Sequence, residues 1–378
     1  MSFTSWLKNW RRLASSSRRH SPLRRRPDYA PPVEALECRT LLTAYAAATA
    51  AQLVADISAA NKSGGANTIT LTAPTTSPYV LSAVINSTDG PTALPVIKKG
   101  DNLTIVGNGN TIDAAGHGRL FDVAGGASLT LQNLTLQNGE ALSAKATGNS
   151  AEGGAIFNQG TLVLSGVTVQ NNTAGAVLTA GGGIWSSGSL TLENSNVWDN
   201  SAEGVRAAGG GGIWSSGALT VENSTIWGNV ANDTWSEPAF GGGIYIASGT
   251  ANITGSTFIH NAAEGSTAYG GAVYVAAGRV TLSGDTLGNI SVFGNSAEGA
   301  GGQSGNYGYG GALYVAGGTV TLTNDSIQAN EAFDQYSSFG FGGGIFIASG
   351  ATVYLDSFTE NNTINNSPTD IWGHFILL

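Results

Sequence analysis

The chain has 378 residues, of which 55 are Gly; 41% are hydrophobic and only 11% are charged. This composition allows a sizeable core and excludes a coiled coil, a collagen helix and a chain kept unfolded by its charge. A single Cys and a single Met exclude a disulfide scaffold and a cysteine-based zinc site. No run of about 18 apolar residues occurs, so no membrane-spanning helix is predicted.

The net charge of −9 is distributed unevenly. Residues 1–40 carry nine Lys or Arg and three Asp or Glu, a net charge of +6, whereas residues 41–378 carry seven and twenty-two, a net charge of −15. An acidic body of this kind repels phosphate, so nucleic acid is not an expected partner.

Residues 1–43 are rich in Arg, Ser and Pro and lack periodicity, which predicts a disordered basic segment. The stretch Leu36-Glu37-Cys38-Arg39-Thr40-Leu41-Leu42 resembles the Leu-Glu-x-Arg-x-Leu-Leu signature that follows an Arg-rich head in many planctomycete surface and secreted proteins, although Pro is common where Cys38 stands. The resemblance implies export to the cell surface, the envelope or the medium. The alternative is a basic tail that binds an acidic partner.

The next segment, 44–66, is predicted to be a capping helix and a linker. Leu53, Val54 and Ile57 have helical spacing within an Ala-rich stretch, which predicts a helix over about 46–62. From Asn67 onward apolar residues alternate with Thr, and Gly and Asn separate the alternating stretches, so 67–378 is predicted to be built from strands. The helix is expected to cover the first strand edges.

A Gly-rich turn followed by an apolar–aromatic pair recurs seven times, at spacings of 28, 29, 31, 29, 40 and 32 residues. An alternating strand follows each pair, and then an apolar residue three positions before an Asn. About three short strands per repeat and no helix-length segment predict stacked coils of parallel β-helix, with clear repeats from 153 to 361. The closing Asn residues are Asn172, Asn200, Asn229, Asn261, Asn295, Asn330 and Asn361.

The Gly-Gly-Ala-Ile turns and Phe258-Ile259-His260-Asn261 resemble the polymorphic outer-membrane-protein repeat, over roughly residues 50–365. That resemblance implies an all-β fold, a right-handed single-stranded parallel β-helix of the pectin-lyase-like superfamily. It does not specify activity, because the fold carries lyases, hydrolases, adhesins and inert stalks.

The Asn column is predicted to be structural. Asn adopts left-handed backbone at turns, and side-chain amides about 4.8 Å apart can form hydrogen bonds along the coil axis.

The aromatic residues are the candidate binding residues. In Ile244-Tyr245-Ile246 the two aliphatic side chains share one face, so the ring is predicted to point outward. The same holds for Phe157, Tyr314 and Phe346, and on a second strand for Ile259 and Phe293. A flat uncharged strip for stacking sugars is expected, unless loops cover the rings. The assigned residues are Trp185, Trp214, Tyr245, Tyr274, Trp198 and Trp227.

No catalytic or metal-ligating residue is assigned, and no cofactor is expected. The sequence Gly116-His117-Gly118 resembles a polygalacturonase motif, but the Asp pair and the Arg-x-Lys of those enzymes are missing. A glutamate repeats in Ala-Glu-Gly, which indicates either a solvated loop edge or stacked carboxylates around calcium. These residues are Glu152, Glu203, Glu264 and Glu298.

These patterns favour an exported, non-catalytic surface or matrix protein, adhesin-like or carbohydrate-binding. Its expected partner is an extracellular polysaccharide or a surface protein, and a monomer is expected. The alternatives are a polysaccharide lyase or hydrolase on the same fold and a passive structural stalk.

Deleting residues 1–43 should leave the folded body intact and abolish export, because this segment carries the basic charge and the signature but no core pattern. Fractionation of cells, with circular dichroism of the purified truncated chain, measures both effects. Secretion of the truncated chain at the parental level would contradict the prediction.

Overall fold

The computed structural model describes residues 43–142, 150–234, 237–291, 294–300, 307–334 and 340–378. Apart from Thr43, the predicted basic export segment lies outside these residues. The described strands form three sheets of 20, 12 and 9 members, whose strands pair in parallel with the equivalent strand one coil away. The chain is therefore wound as a parallel β-helix.

One coil illustrates the pattern. Ile184–Ser186 belongs to the third sheet, Ser189–Glu193 and Asn196–Trp198 to the first, and Ser201–Gly209 to the second. Side chains alternate between core and surface along each strand. This coil thus has four strands, one more than the sequence pattern predicts, because a left-handed residue such as Asn194 (φ 49°) divides the first-sheet segment in two. In the next coil the second-sheet segment is divided as well, into Val230–Asp233 and Ala239–Phe240.

The first sheet contains the two strands on either side of that bend. Its members are Thr43–Ala47, Gly65–Leu71, Tyr79–Val80, Asp101–Asp113, Ser128–Gln137, Thr161–Ser165, Thr168–Gln170, Ser189–Glu193, Asn196–Trp198, Ala218–Glu222, Thr225–Trp227, Thr250–Thr254, Thr257–Ile259, Arg279–Ser283, Thr286–Leu287, Gly318–Thr323, Ser326–Gln328, Ala351–Leu355, Thr363–Ile364 and Ile376–Leu377.

The second sheet is rich in Ala and Gly. Its members are Glu140–Leu142, Ser150–Glu152, Thr173–Ala180, Ser201–Gly209, Val230–Asp233, Ala239–Phe240, Ala262–Gly265, Ala268–Tyr269, Ser296–Gly299, Gly308–Tyr309, Glu331–Asp334 and Gly340–Phe341.

The third sheet holds the apolar–aromatic pairs that follow the Gly turns. Its members are Phe121–Val123, Ile156–Asn158, Ile184–Ser186, Ile213–Ser215, Ile244–Ile246, Val273–Val275, Leu313–Val315, Ile345–Ile347 and Ile371–Trp372.

The strand register stacks like residues into columns. Leu190 lies beside Leu219 and Ile184 beside Ile213, and each of these side chains is almost completely buried. One continuous core of Leu, Ile and Val follows the axis, and Ala residues of the second sheet form small separate clusters.

The Gly turns join the second sheet to the third where neighbouring coils approach closely. Gly210 has a φ of 66°, in the left-handed region that favours Gly. A Cβ on Gly211 would lie 2.4 Å from the carbonyl oxygen of Gly242 in the next coil. Both positions therefore require Gly.

The predicted N-terminal boundaries need correction, because Thr43–Ala47 is a strand, whereas the sequence predicts disorder up to residue 43 and a helix from about residue 46. This strand pairs in parallel with Asn67–Leu71, so the first coil begins earlier than residue 67. Helix α1 spans Ala50–Ser63, and Thr49 caps it by accepting a hydrogen bond from the backbone N–H of Gln52. Its buried side chains, Leu53, Ile57 and Ala60, belong to the main core.

The predicted asparagine ladder is present. The Asn200 Nδ2 donates to the Asn229 Oδ1 at 2.9 Å, and the Asn229 Nδ2 donates to the Asn261 Oδ1 at 3.0 Å. Each of these acceptor oxygens also receives the backbone N–H of the Asn below it. The ladder comprises Asn172, Asn200, Asn229, Asn261, Asn295, Asn330 and Asn366.

Two details of that ladder differ from the prediction. Asn361 is not a member, because it lies in helix α2, Ser357–Asn362, where its Nδ2 donates to the carbonyl of Ser357. Asn366 takes its place. The left-handed residue at the corner is the one before the ladder Asn, as at Asp199 (φ 51°) and His260 (φ 59°).

A second buried polar ladder, not predicted from the sequence, runs along the bend of the first sheet. The backbone N–H of Ser195 donates to the Ser224 Oγ at 3.1 Å, and later members are acidic: Ser256 N–H donates to the Asp285 Oδ1 at 2.7 Å and Asp285 N–H to the Asp325 Oδ1 at 2.8 Å. The members are Ser195, Ser224, Ser256, Asp285, Asp325 and Thr359.

Burial perturbs the two carboxyl groups of this second ladder. It raises the pKa of Asp285 to about 6 and that of Asp325 to about 7, and the charge of Asp285 adds to the effect at Asp325. Because the folded pKa lies above the unfolded one, the fold favours the protonated acid. These groups therefore stabilise the fold fully below about pH 4, and that stabilisation is lost as pH rises toward 7.

Asn229→Leu should lower the free energy of unfolding by about 1–3 kcal/mol, because it strands the amide of Asn200 and the backbone carbonyls that Asn229 serves. Thermal and urea unfolding measure the change. Asn252→Leu, at an exposed position on the outer face of the first sheet, is the matched control and should change stability little. Equal unfolding midpoints for Asn229→Leu and the parent would contradict a stabilising ladder.

Asp325→Ser should stabilise the fold above pH 7 by on the order of 2 kcal/mol, because it copies Ser195, Ser224 and Ser256 and removes a buried charge. The advantage should shrink as pH falls toward 4, where the parental acid is protonated. Urea unfolding at several pH values measures it. Glu193→Gln, on the outer face of the first sheet, removes the same charge and should show no such trend. A pH-independent difference for Asp325→Ser would contradict the explanation.

Candidate binding surface

The outward rings of the third sheet form one row, called here the stacked column. The parallel register places Trp185 beside Trp214, and Trp214 beside Tyr245. Ring centroids in the column are 4.4–6.1 Å apart, and the ring planes differ by 24° or less. The stacked column comprises Phe157, Trp185, Trp214, Tyr245, Tyr274, Tyr314 and Phe346.

This geometry changes what the stacked column offers to a ligand. Parallel rings about 5 Å apart are too close to lie side by side in one plane, so they overlap as offset stacks. The ring centroids of Trp185 and Trp214 are 5.2 Å apart and their planes differ by 2°, so the two rings stack face to face. The other face of Trp185 stacks on Phe157, and that of Trp214 stacks on Tyr245. The prediction of a strip of outward-facing ring faces is therefore wrong inside the column, where the faces stack on neighbouring rings and the ring edges point outward.

A second row of aromatic rings, the edge column, lies on the second sheet beside the first row. Its rings stack at 5.3 Å with planes 8–13° apart. They also meet the stacked column edge-on, as between Tyr269 and Tyr314 at 4.8 Å and 70°. This row was not predicted from the sequence, although each ring directly precedes the left-handed Gly of its turn. The edge column comprises Phe240, Tyr269, Tyr309 and Phe341.

Rings of both columns are mostly half-buried, and they pack against one another within and between the columns. Burial raises the pKa of Tyr274 well above its ordinary value and that of Tyr314 to about 12, so these hydroxyls stay protonated. Within the described residues none of the column hydroxyls makes a hydrogen bond, and none is fully buried. They are available as donors to a ligand. These residues are Tyr245, Tyr269, Tyr274, Tyr309 and Tyr314.

The N-terminal end of the stacked column is closed by Arg119. Its guanidinium carbon lies 5.0 Å from the centre of the Phe157 ring, and Phe157 is only 4% exposed. The guanidinium also donates to the carbonyls of Gly153 at 2.9 Å and Glu152 at 2.6 Å. One strand earlier, buried Asp122 takes the position of the ring, and burial raises its pKa. A ligand therefore has no access to the outer face of Phe157.

The C-terminal end of the stacked column is open. The register places Trp372 beside Phe346, but Trp372 instead makes an edge contact with Phe341, at 5.1 Å and 68°. A cavity of about 590 Å³ lies at this break and is lined by Tyr314, Phe346, Trp372 and His374, among others. Trp372 is 47% exposed. Neither Trp372 nor His374 was predicted as a site residue from the sequence.

Two predicted site residues lie apart from these columns, on the first sheet. Trp198 and Trp227 are 5.9 Å apart with their planes at 58°, so they do not stack. The Trp198 Nε1 donates to the Gln170 Oε1, and Trp227 makes an edge contact with His260 at 5.8 Å. Four of the six assigned residues thus share one surface, while these two form a small separate patch. Phe293 lies outside the described residues.

The candidate acidic sites do not converge. Only Glu264 and Glu298 are neighbours in register; burial and the charge of Glu298 raise the pKa of Glu264. Glu203 lies beside Asn232, and Glu152 beside Ala180. Over the described ranges, no group of three or more His, Cys, Asp or Glu side chains is placed to hold a metal ion.

Comparison with known proteins gives one result. A family model described as "Right handed beta helix region" matches residues 96–327, more than half of the chain. The chain belongs to the right-handed β-helix family. The predicted fold class of this right-handed β-helix is thereby confirmed, and the finer resemblance to the polymorphic outer-membrane-protein repeat stays a prediction. Searches of curated proteins and of solved structures returned no match.

Among the described helices of this right-handed β-helix, none is long and apolar enough to cross a bilayer.

Proposed function

We propose that this right-handed β-helix is an exported, non-catalytic surface or matrix protein that binds a neutral polysaccharide through its two aromatic columns. The single observation that carries the proposal is the pair of interlocked aromatic columns on one side of the coil, with tyrosine hydroxyls left without partners among the described residues.

The chemistry of this surface favours a polyhydroxylated ligand over a purely apolar one. An apolar partner that covered the five column tyrosines would leave their hydroxyls buried and unpaired, which costs free energy. A polysaccharide supplies hydroxyl acceptors for these groups and apolar C–H faces for the ring edges. Because successive rings lie about one strand spacing apart, an extended chain along the axis meets equivalent groups in each coil.

The charges favour a neutral polymer. No Lys or Arg follows Arg279, so the last two rings of each column lie in a stretch without Lys or Arg to pair with uronate or sulfate. Arg119, at the other end of the stacked column, is 3% exposed and donates to backbone carbonyls. Binding should therefore change little between low and moderate salt.

Export is the other half of the proposal, and its support is the basic head with the Leu36–Leu42 signature. The resemblance to polymorphic outer-membrane-protein repeats supports the same placement at or outside the cell surface. The finer role, adhesin-like attachment to surface material, follows if the polysaccharide belongs to a neighbouring cell or matrix.

Trp185→Ala/Trp214→Ala should weaken retention on neutral polysaccharides by about tenfold, because it removes two adjoining rings. Tyr269→Phe/Tyr309→Phe keeps the rings, removes two hydroxyl donors and should weaken retention less. Affinity electrophoresis in gels cast with glucan, mannan, xylan or galactan measures retention.

Tyr354→Ala is the matched control, since this half-buried ring lies on the outer face of the first sheet, away from both columns. Circular dichroism and thermal melts check that each variant is folded. If folded Trp185→Ala/Trp214→Ala is retained like the parent, the columns are not the binding surface. If the parent itself is retained on none of the gels, the protein is a passive stalk. Depolymerisation of a gel polysaccharide by the parent would instead support the lyase or hydrolase alternative.

A further inference from the structure

The break at the C-terminal end of the stacked column is a distinct feature of the surface. Phe346 stacks on Tyr314 at 5.0 Å and 2°, which covers one face of the Phe346 ring. The next ring in register, Trp372, turns away to pack against Phe341. Among the described rings, the stack therefore ends with the outer face of Phe346 uncovered.

We propose that this break, called here the terminal cleft, is the anchoring subsite for one pyranose ring of a neutral polysaccharide. The inference rests on the proposed function and adds where the ligand is held. It identifies Phe346, Trp372 and His374 as binding residues.

Accessible ring faces occur at the C-terminal end of the stacked column. A sugar stacks on the face of an aromatic ring, and inside the stacked column those faces are occupied by neighbouring rings. At the N-terminal end the face of Phe157 is covered by Arg119. The C-terminal end, where Phe346 is uncovered and Trp372 is 47% exposed, has the accessible faces.

The size and the lining of the terminal cleft suit a small polyhydroxylated ligand. Its volume of about 590 Å³ lies within the range of sites that hold small ligands. Apolar surface comes from Phe346, Trp372 and Ala348, while the lining residues Ser349, His374 and Tyr314 carry polar groups. Burial keeps the Tyr314 hydroxyl protonated by raising its pKa to about 12. An apolar wall with a few hydrogen-bonding groups suits a pyranose.

The terminal cleft is continuous with the stacked column. Tyr314 and Phe346 line the terminal cleft and are also the last two rings of the stacked column. A chain anchored by one sugar in the terminal cleft can therefore continue along the column hydroxyls. The terminal cleft holds one end, and the columns extend the contact.

The test uses the full chain and four linear trisaccharides, cellotriose, maltotriose, mannotriose and xylotriose, with titration followed by calorimetry and tryptophan fluorescence. At least one trisaccharide should bind the parent. Trp372→Ala should weaken that binding by about tenfold, Trp372→Phe should restore most of it, and Tyr354→Ala should have no effect.

The two proposals fail in different ways. If no trisaccharide binds the parent, or if Trp372→Ala binds like the parent, the terminal cleft is not a subsite, whatever the polysaccharide gels show. If Trp372→Ala loses the trisaccharide while Trp185→Ala/Trp214→Ala keeps full polymer retention, the columns are not a binding surface and the cleft alone binds. Thermal melts of Trp372→Ala exclude unfolding as the cause of a loss.

Discussion

Parallel pairing in register is the constraint on which the rest of this molecule depends. Each residue of a coil lies about one strand spacing from its counterpart in the next coil, so any residue type used repeatedly becomes a column. Columns of Leu and Ile make the core, and a column of Asn satisfies itself, since an amide both donates and accepts. Aromatic rings at this spacing form offset stacks.

The same constraint is unfavourable for acids. A carboxylate can only accept hydrogen bonds, so Asp285 and Asp325 in adjacent coils repel each other when both are charged. Burial raises the pKa of both carboxyl groups, and the charge of Asp285 raises that of Asp325 further. Glu264 and Glu298 repeat the effect on the second sheet, in a less buried setting. Whether a buried polar residue is favourable in this fold therefore depends on whether its neighbours in the column can exchange hydrogen bonds with it.

The fold could be predicted from the sequence largely because columns leave a periodic trace. The Gly turns, the aliphatic alternation and the Asn spacing specify coils, sheets and ladder before any coordinate is known. The ends could not be predicted in the same way, because periodicity stops there. Ala46 and Ala47 share the Ala-rich composition of the helix that follows but belong to the strand Thr43–Ala47. Asn361 matches the repeat by sequence, although it lies in helix α2 and Asn366 takes its place in the ladder. For the aromatic surface, the positions of the rings could be predicted from the sequence but their orientation could not. Alternation gives the side of the sheet on which Trp185 lies, but not the overlap of its face with Trp214.

The Asn ladder also has a consequence for how such a chain can change in length. The segment from Ser201 to Asn229 is one full coil, and it contributes one member to each column: Trp214 to the stacked rings, Leu219 to the core, Ser224 to the hydroxyl ladder and Asn229 to the amides. Excising this segment would bring Asn200 directly beneath Asn261, with every column still continuous. Duplicating it would lengthen each column by one. Whole-coil insertion and loss are therefore structurally neutral steps, and unequal recombination between repeats can tune the reach of the molecule without redesigning its fold.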